Sequence, residues 1–254
     1  EAFPQLVDAE ARYRFRLGLD VDMTAPAATI LAVAAGSPAE EAGLMTGNVI
    51  VKVGDMPVRN GFDFHLALID CKPGVPLPIE IDRGRKPKLF TVVPREIPLR
   101  PAERVSGLAN GLNYSAYAGE WNALPEFDQL EAAHSGTTDT FNLDVWAESG
   151  EQFALRFTGY IHAPQPGLYH FYTSSDDGSR LWIGDQLIVD NDGTHGSVEH
   201  SGLIRLEAGQ HRIAVGYFQG PGGKSLSVSW EGPGIHKQEI PASALFVANE
   251  EGTN

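Results

Sequence analysis

The residue types best suited to chemistry lie close together in one stretch of the second half of the chain. His195, Glu199 and His200 could together bind zinc, which accepts imidazole and carboxylate ligands. Their spacing differs from the helical zinc-protease pattern, because Gly196 and Ser197 indicate a loop rather than a helix. Two interpretations stay open, a zinc site and a set of solvated loop residues, and the glycine and serine favour the second.

A neighbouring segment, Asp190-Asn191-Asp192-Gly193, resembles the beginning of an EF-hand calcium loop. No glutamate stands at the twelfth position of that loop, so the segment is predicted to be a turn, with or without an ion nearby. The sequence contains neither a Gly-x-Ser-x-Gly motif nor a glycine-rich phosphate loop. Acidic residues are too numerous for a glycosidase pair to be recognised among them. We therefore predict that the chain is not an enzyme.

Charge and composition exclude further classes of function. The 254 residues carry a formal net charge of −14, which disfavours nucleic acid as a partner and leaves many carboxylates for solubility or for hard cations. No run of about 18 apolar residues is present, so no membrane span is expected. Cys71 is the single cysteine and is predicted to be a small buried residue. Since the start at Glu1 lacks a signal peptide, we expect a processed protein or a piece of a longer one.

A proline-rich, charged stretch between Pro94 and Pro101 predicts a stiff linker between two domains. On one side of it, strands alternate with two short helices. The first helix is predicted by the capping box at Ser37 to Glu40, and the second by Phe62, Leu66 and Ile69 on one helical face. The predicted boundaries are residues 1–94 for the first domain, 95–105 for the linker, 106–248 for the second domain and 249–254 for a tail.

The second domain is predicted to consist almost entirely of strands. Phe153, Leu155 and Phe157 alternate with polar or small residues, and the segments from Ile213 to Tyr217 and from Leu226 to Trp230 do the same. Turn signals such as Asp-Gly and Pro-Gly separate these short strands. Many short alternating strands at regular spacing are typical of an antiparallel β-sandwich.

Three stretches of the first domain carry a family resemblance: Arg16-Leu17-Gly18-Leu19, Ala35-Gly36-Ser37-Pro38-Ala39-Glu40-Glu41-Ala42-Gly43-Leu44 and Gly47-Asn48-Val49-Ile50. Residues 14–94 resemble a PDZ domain of the kind found in bacterial proteases of the high-temperature-requirement class. The resemblance implies a partly open β-barrel with two helices. It also implies that a peptide or protein C-terminus adds a strand to an open sheet edge.

On this resemblance, the backbone of Leu17, Gly18 and Leu19 forms the loop that binds the terminal carboxylate, and Arg16 adds a charged contact. The strand beginning at Leu19 is one wall of the groove. The second helix is the other wall, with Leu66 facing the apolar pocket. The alternative is that Leu17 and Leu19 are only core residues and that the domain is a spacer or a docking surface.

The second domain carries a more specific resemblance, through Gly159-Tyr160-Ile161, Gly167-Leu168-Tyr169-His170-Phe171-Tyr172, Ser174-Ser175-Asp176-Asp177-Gly178-Ser179-Arg180-Leu181-Trp182-Ile183, Val189-Asp190-Asn191-Asp192-Gly193, Leu206-Glu207-Ala208-Gly209-Gln210-His211 and Glu231-Gly232-Pro233-Gly234. Residues 106–246 resemble the PA-fourteen (PA14) domain, named after the protective antigen of anthrax toxin. The resemblance implies a lectin-like sandwich that binds carbohydrate.

In the adhesins of that family, two adjacent aspartates joined by a cis peptide bind calcium, and the ion binds sugar hydroxyls. The resemblance carries this metal and carbohydrate role to Asp176 and Asp177, because calcium prefers clustered carboxylate oxygens. The adhesins add an asparagine from a later loop, which here lacks one and contains Lys224, so Gln219 or backbone carbonyls are the candidate substitutes. Trp182 is a candidate for stacking on a sugar ring. The alternative for the aspartate pair is a hairpin turn.

The sequence therefore predicts a non-catalytic binding protein or fragment outside the cytoplasm: periplasmic, cell-surface or secreted. Its expected partners are a peptide C-terminus and a glycan, and its expected cofactor is calcium. The alternatives are the regulatory or targeting part of a secreted protease or glycosidase, and a purely structural interaction module.

Overall fold

The computed structural model describes residues 15–22, 24–33, 35–69, 71–82, 87–146 and 152–248, without the side chains of Phe15 and Arg16. The predicted tail at 249–254 and the proposed charged contact of Arg16 therefore lie outside the described part. The chain divides into two units, Glu1–Pro98 and Leu99–Asn254, and each is described by itself.

The described part of the first unit contains short antiparallel strands and two helices. Strands β4 to β7 form a four-stranded sheet in the order β5-β4-β6-β7, and β2-β3 and β1-β8 form two-stranded sheets. The elements are β1 (Phe15–Arg16), β2 (Leu19–Asp20), β3 (Ala32–Val33), α1 (Pro38–Glu41), β4 (Ile50–Val53), β5 (Met56–Pro57), α2 (Gly61–Ala67), β6 (Leu77–Ile81), β7 (Lys88–Val92) and β8 (Arg95–Glu96).

Helix α1 begins where the capping box predicted it. The Ser37 side chain accepts a hydrogen bond from the Glu40 backbone N–H at 3.3 Å, and Pro38 occupies the first turn, where its missing N–H costs nothing. The Glu40 carboxylate accepts from the backbone N–H of Gly36 at 2.7 Å. Gly43 follows the helix with φ +86°, a left-handed conformation that favours glycine.

Helix α2 turns a different face to the core from the one its apolar stripe suggests. Phe64 is 2% exposed and packs in the core, whereas Phe62 and Leu66 remain 49% and 38% exposed. Cys71 follows this helix and is half-buried, so the prediction of a buried cysteine was wrong. The apolar face with Phe62 and Leu66 is therefore open to solvent.

The second unit, where its residues are described, is made of strands and three short 3₁₀ turns. The turns are Phe127–Gln129, Leu143–Trp146 and Ala242–Ala244. The strands are β9 (Leu108–Asn110), β10 (Leu112–Ala118), β11 (His134–Thr138), β12 (Phe153–Ala163), β13 (Gly167–Asp176), β14 (Ser179–Ile183), β15 (Gln186–Asn191), β16 (Val198–Leu206), β17 (Gly209–Gln219), β18 (Ser225–Gly232), β19 (Ile235–Glu239) and β20 (Leu245–Ala248).

These strands form two antiparallel sheets that enclose one core. The larger sheet runs β11-β10-β12-β17-β14-β15, with β20 pairing with β12 and β9 with β20, and the smaller runs β16-β13-β18-β19. Phe157 and Val215 from the larger sheet meet Phe171 and Trp230 from the smaller one in the core. The predicted mainly β class, with two helices followed by an antiparallel sandwich, is confirmed.

The end of the predicted linker packs on the second unit. The Arg100 backbone N–H donates to the Arg205 carbonyl at 2.7 Å, and the Glu103 N–H donates to the Gln210 carbonyl at 2.7 Å. The Glu103 carboxylate also pairs with Arg212 at 3.0 Å. Neither α-helix among the described residues has the length and apolar character of a membrane span.

Candidate functional site

Asp176 and Asp177 lie where the chain passes from one sheet to the other. Strand β13 ends at Asp176 in the smaller sheet and β14 begins at Ser179 in the larger one, so the alternative of a hairpin turn was wrong. The peptide bond between the two aspartates is cis, as the family resemblance implied. A side chain at Gly178 would stand 2.4 Å from the Phe218 ring and 2.8 Å from the Gly193 nitrogen, so only glycine fits this crossing.

Two loops donate backbone hydrogen bonds to Asp177. Its Oδ1 accepts from the His195 N–H at 3.0 Å and its Oδ2 accepts from the Gly220 N–H at 2.8 Å. The residue is 3% exposed. Burying a carboxylate is costly unless it has such partners. The two bonds thus fix the orientation of the Asp177 carboxylate at the point where the two loops converge.

Two glycines allow the loop after β17 to lie directly against the aspartates. A Cβ at Gly220 would stand 3.0 Å from Asp177 Oδ2, and a Cβ at Gly223 would stand 3.0 Å from Asp176 Oδ2. Neither carboxylate forms a salt bridge within the described ranges. The loop therefore encloses two adjacent negative charges without neutralising them.

Two side chains near the end of β17 hold this loop and the aspartate pair by hydrogen bonds. Tyr217 bonds to Asp176, and Gln219 bonds to the loop. The Tyr217 hydroxyl donates to the Asp176 carbonyl oxygen at 2.6 Å and also lies within hydrogen-bonding distance of Gln219 Oε1. Burial, followed by the negative charges of Asp177 and Asp176, raises the pKa of Tyr217, so this phenol remains a donor. Gln219 is 1% exposed and points into the fold. Sequence reasoning named Gln219 as a candidate ligand but did not detect this buried pairing.

The donor atoms around the pair fit a hard cation such as calcium, which takes about six to eight oxygen ligands. Ser225 lies directly opposite Asp176 in the β13–β18 pairing. Its Oγ is buried and has no hydrogen-bond partner in the part of the chain that is described. An unpaired buried hydroxyl is costly, so this oxygen suits a ligand. In the same part, no three His, Cys, Asp or Glu side chains converge, so backbone or hydroxyl oxygens must complete any such site.

Trp182, the candidate for sugar stacking, lies apart from the aspartates along its strand. Trp182 is half-buried on β14, three residues beyond Ser179, roughly 10 Å along an extended strand. Tyr172 is 9% exposed, and its ring is covered by the Lys237 ammonium 3.9 Å from the ring centroid. Trp230 packs in the core. The structure does not bring Trp182 to the aspartate pair.

The histidine and glutamate candidates for zinc do not converge. His200 Nδ1 bonds to the Asp190 carbonyl at 2.7 Å, and Glu199 accepts from Lys237 at 2.6 Å. Both residues belong to strand β16 rather than to a loop, so adjacent side chains point to opposite faces. The two ring nitrogens of His195 lie within hydrogen-bonding distance of two backbone carbonyls. The zinc interpretation was wrong for these residues, and so was the assignment of all three to a loop.

The PDZ-type loop has a backbone suited to binding a carboxylate, although its leucines face inward. Leu17 is 6% exposed in the core, Leu19 packs against that core, and Gly18 has φ +79°. The Asp20 carbonyl accepts from the Leu31 N–H, towards β3. Because successive residues of a strand direct their backbone groups to opposite edges, the backbone N–H and C=O groups of Leu19 and Val21 point away from β3.

A histidine of α2 forms a hydrogen bond with one of these outward-pointing backbone groups. His65 Nε2 donates to the Val21 carbonyl at 2.8 Å, across the groove predicted between β2 and α2. Leu66 and Phe62 remain exposed beside it. An incoming peptide strand would compete with His65 for the Val21 carbonyl. Sequence reasoning missed His65, because it does not belong to the apolar stripe.

Comparison with known families agrees with this architecture. Residues 109–244 match the family model of the PA14 domain, and residues 16–93 match that of the PDZ domain. The first match covers more than half of the sequence, so the chain belongs to the PA14 domain family. A PDZ domain precedes the PA14 domain in the order that the sequence predicted.

The relatives are larger proteins of differing kinds. An anti-sigma-I factor, RsgI3 of Acetivibrio thermocellus, is 34% identical over 97 residues, 38% of this chain and 15% of that protein. A putative serine protease, HhoB of Synechocystis, is 39% identical over 69 residues, 27% of this chain and 17% of that protein. A solved PA14 sugar-binding domain from an RTX adhesin has a TM-score of 0.47 and 18% identity, over 55% of this chain and 99% of that one. The chain spans less than a fifth of either relative.

Proposed function

We propose that the chain is a non-catalytic binding protein, or the binding portion of a larger one, working outside the cytoplasm. Its PA14 domain binds carbohydrate through a calcium ion held by Asp176 and Asp177. Its PDZ domain binds a peptide or protein C-terminus at the loop from Leu17 to Leu19. Both domain families are of the binding type, which supports this assignment.

The observation that carries the carbohydrate proposal is the enclosure of the aspartate pair. Asp177 is fixed by two backbone N–H groups, and Gly220 and Gly223 let a loop lie against both carboxylates. Two adjacent carboxylates without a cationic partner repel each other unless a cation is bound. A hard divalent cation neutralises that negative charge and accepts further oxygen ligands.

The chemistry of the proposed site is coordination rather than catalysis. Asp176 and Asp177 would hold the ion, with Ser225 Oγ and backbone oxygens of the 220–223 loop as further donors. The bound ion supplies open coordination positions for two hydroxyls of a sugar. Asp177 keeps its carboxylate oriented through its bonds to His195 and Gly220.

A glycan array, probed with the labelled full chain, tests this proposal. Binding to a defined set of glycans in 2 mM calcium (about the level that extracellular calcium modules need) should disappear in EDTA and in Asp176→Asn. The matched control is Asp185→Asn, which changes an exposed aspartate in the β14–β15 turn. Glycan binding that survives both EDTA and Asp176→Asn would exclude a calcium-bridged site.

The proposal for the PDZ domain rests on the open edge of β2 and on the exposed apolar face of α2. Within the described residues β2 pairs only with β3. Leu66, 38% exposed, provides an apolar wall beside that edge. Fluorescence anisotropy with labelled peptides that end in an apolar residue tests it. Amidation of the peptide C-terminus should abolish binding if a terminal carboxylate is recognised.

A second candidate function is favoured by the relatives. The matches to an anti-sigma-I factor and to a putative serine protease each cover a small part of those proteins. On this candidate, the chain is the ligand-recognising portion of a regulatory protein or of a protease. Mass spectrometry of the native protein would decide, because a longer polypeptide containing these residues supports it and a 27.4 kDa species does not.

A further inference from the structure

We propose that Gln219 is a positioning residue for the metal site: it shapes the 220–223 loop over the aspartates instead of binding the ion. This inference rests on the proposed function of the PA14 domain. The sugar-binding adhesins supply an asparagine ligand from this loop, and this chain has none there. Gln219 is not expected to replace that asparagine as a ligand, because its side-chain amide is already hydrogen-bonded within the protein.

Each polar atom of the Gln219 side chain has a partner. Its Nε2 donates to the Gly220 carbonyl and to the Gly223 carbonyl, each at 2.7 Å. Its Oε1 faces the Tyr217 hydroxyl. Because Nε2 has two hydrogens, both are used, and the two carbonyls fix which end of the amide is the nitrogen. The side chain is 1% exposed, so solvent cannot replace these partners.

The two hydrogen bonds from Gln219 Nε2, here called the clamp, act on the same two glycines that lie against the carboxylates. Gly220 gives its N–H to Asp177 Oδ2 while its carbonyl is held by Gln219. Gly223 lies against Asp176 Oδ2 while its carbonyl is held by the same amide. Gln219 therefore sets the distance between the loop and both aspartates before any ion arrives. Binding to a loop that is already ordered avoids the entropy of ordering it.

Tyr217 connects the clamp to the aspartate backbone. Its hydroxyl bonds to the Asp176 carbonyl at 2.6 Å and shares the same proton with Gln219 Oε1. Loop, glutamine, tyrosine and aspartate pair thus form one hydrogen-bonded unit. A change at Gln219 is expected to reach the ion through the loop rather than through a lost ligand.

The test compares Gln219→Met, Gln219→Glu and the matched control Gln210→Met by calorimetric titration of the full chain with calcium chloride. Gln210 lies at the other end of the same strand, β17. Gln219→Met should weaken calcium binding about tenfold, since two hydrogen bonds that order the loop are lost. Gln219→Glu should also weaken it, because a carboxylate cannot donate to the two carbonyls. Gln210→Met should leave the affinity unchanged.

Amide hydrogen exchange without metal gives a second readout that does not depend on ion affinity. Exchange at residues 220, 222 and 223 should be faster in Gln219→Met than in the wild-type chain and unchanged in Gln210→Met. Tighter calcium binding by Gln219→Glu would overturn the proposal, because it would make residue 219 a direct ligand. Unchanged affinity and exchange in Gln219→Met would overturn it as well. Absence of calcium binding by the wild-type chain would overturn the proposed metal site and this inference together.

Discussion

The Oδ2 atom of Asp177 lies 2.8 Å from the backbone nitrogen of Gly220, 43 residues later in the chain. This single bond connects the crossing between the two sheets to the loop that follows β17. It also explains why glycine is needed in that loop, since a Cβ at Gly220 would stand 3.0 Å from the same oxygen. The geometry of the proposed metal site depends on this close approach.

The loop glycines provide a first prediction. Gly223→Ala should weaken calcium binding severalfold, because the new methyl group would stand 3.0 Å from Asp176 Oδ2 and push the loop away. Gly196→Ala is the matched control, since a Cβ there meets nothing within 4 Å. Calorimetric titration with calcium measures both. Equal affinities for the two variants would show that the loop does not touch the ion site.

The stability of the sandwich provides a second prediction. A Cβ at Gly202 would stand 1.8 Å from the Ile188 carbonyl oxygen, a backbone atom that cannot move aside cheaply. Gly202→Ala should therefore lower the free energy of unfolding by about 3 kcal/mol or more. All four tryptophans, at positions 121, 146, 182 and 230, lie in the second unit, so urea unfolding followed by their fluorescence isolates this domain. A loss below about 0.5 kcal/mol would contradict the packing between β15 and β16.

A third prediction concerns pH and His211. Its side chain is fully buried, its Nε2 donates to the Glu207 carbonyl at 2.8 Å, and its Nδ1 has no partner in the described chain. Burial lowers the pKa of His211 in the folded chain from its ordinary 6.5, and nearby Arg100 adds to this effect, while Glu207 and Glu103 oppose it. Below about pH 6.5 the unfolded chain takes up the proton first, so the sandwich loses stability as the pH falls towards the folded pKa.

Urea unfolding at pH 8 and at pH 5.5 checks this linkage. The wild-type sandwich should lose more stability between these pH values than His211→Gln, whose amide can donate to the same carbonyl without titrating. An equal loss in both proteins would remove His211 as the cause.

The PDZ groove provides a fourth prediction. His65→Phe should raise the affinity for an apolar C-terminal peptide up to about fivefold. In this variant the Val21 carbonyl has no donor within the protein, so the peptide does not have to displace a hydrogen bond worth ~1 kcal/mol. Leu66→Asp should lower it by placing a charge on the exposed apolar wall. Anisotropy titrations of both variants against the wild type measure this. Weaker binding by His65→Phe would mean that the histidine contacts the peptide.

Local patterns predicted much of this fold. The capping box at Ser37 placed α1, and the alternation at Phe153, Leu155 and Phe157 placed a core strand, because each depends only on neighbouring residues. Long-range placement was less accessible. The sequence motif allowed Asp177 to be a hairpin residue. It is not one, because β13 and β14 belong to different sheets, and this becomes visible only in the structure.

The site was partly predictable for the same reason. Asp176 and Asp177 stand out as adjacent carboxylates in a family motif. His65 instead bonds to a carbonyl 44 residues earlier in the chain, and Gln219 bonds to a loop whose contact with Asp177 spans 43 residues. No spacing rule connects Gln219 to Asp176, because their proximity arises from the meeting of two sheets. Trp182 was chosen by residue type alone, and its position along β14 separates it from the aspartates.

The central claim is that Asp176 and Asp177 bind calcium, and calorimetric titration of the full chain with calcium chloride tests it most directly. We expect one saturable site per chain in the wild-type protein, lost in the double variant Asp176→Asn/Asp177→Asn and kept in Asp185→Asn. No saturable binding by the wild-type chain, or equal binding by the double variant, would contradict the calcium-bridged account. The enclosed aspartates would then have only a structural role at the crossing between the sheets.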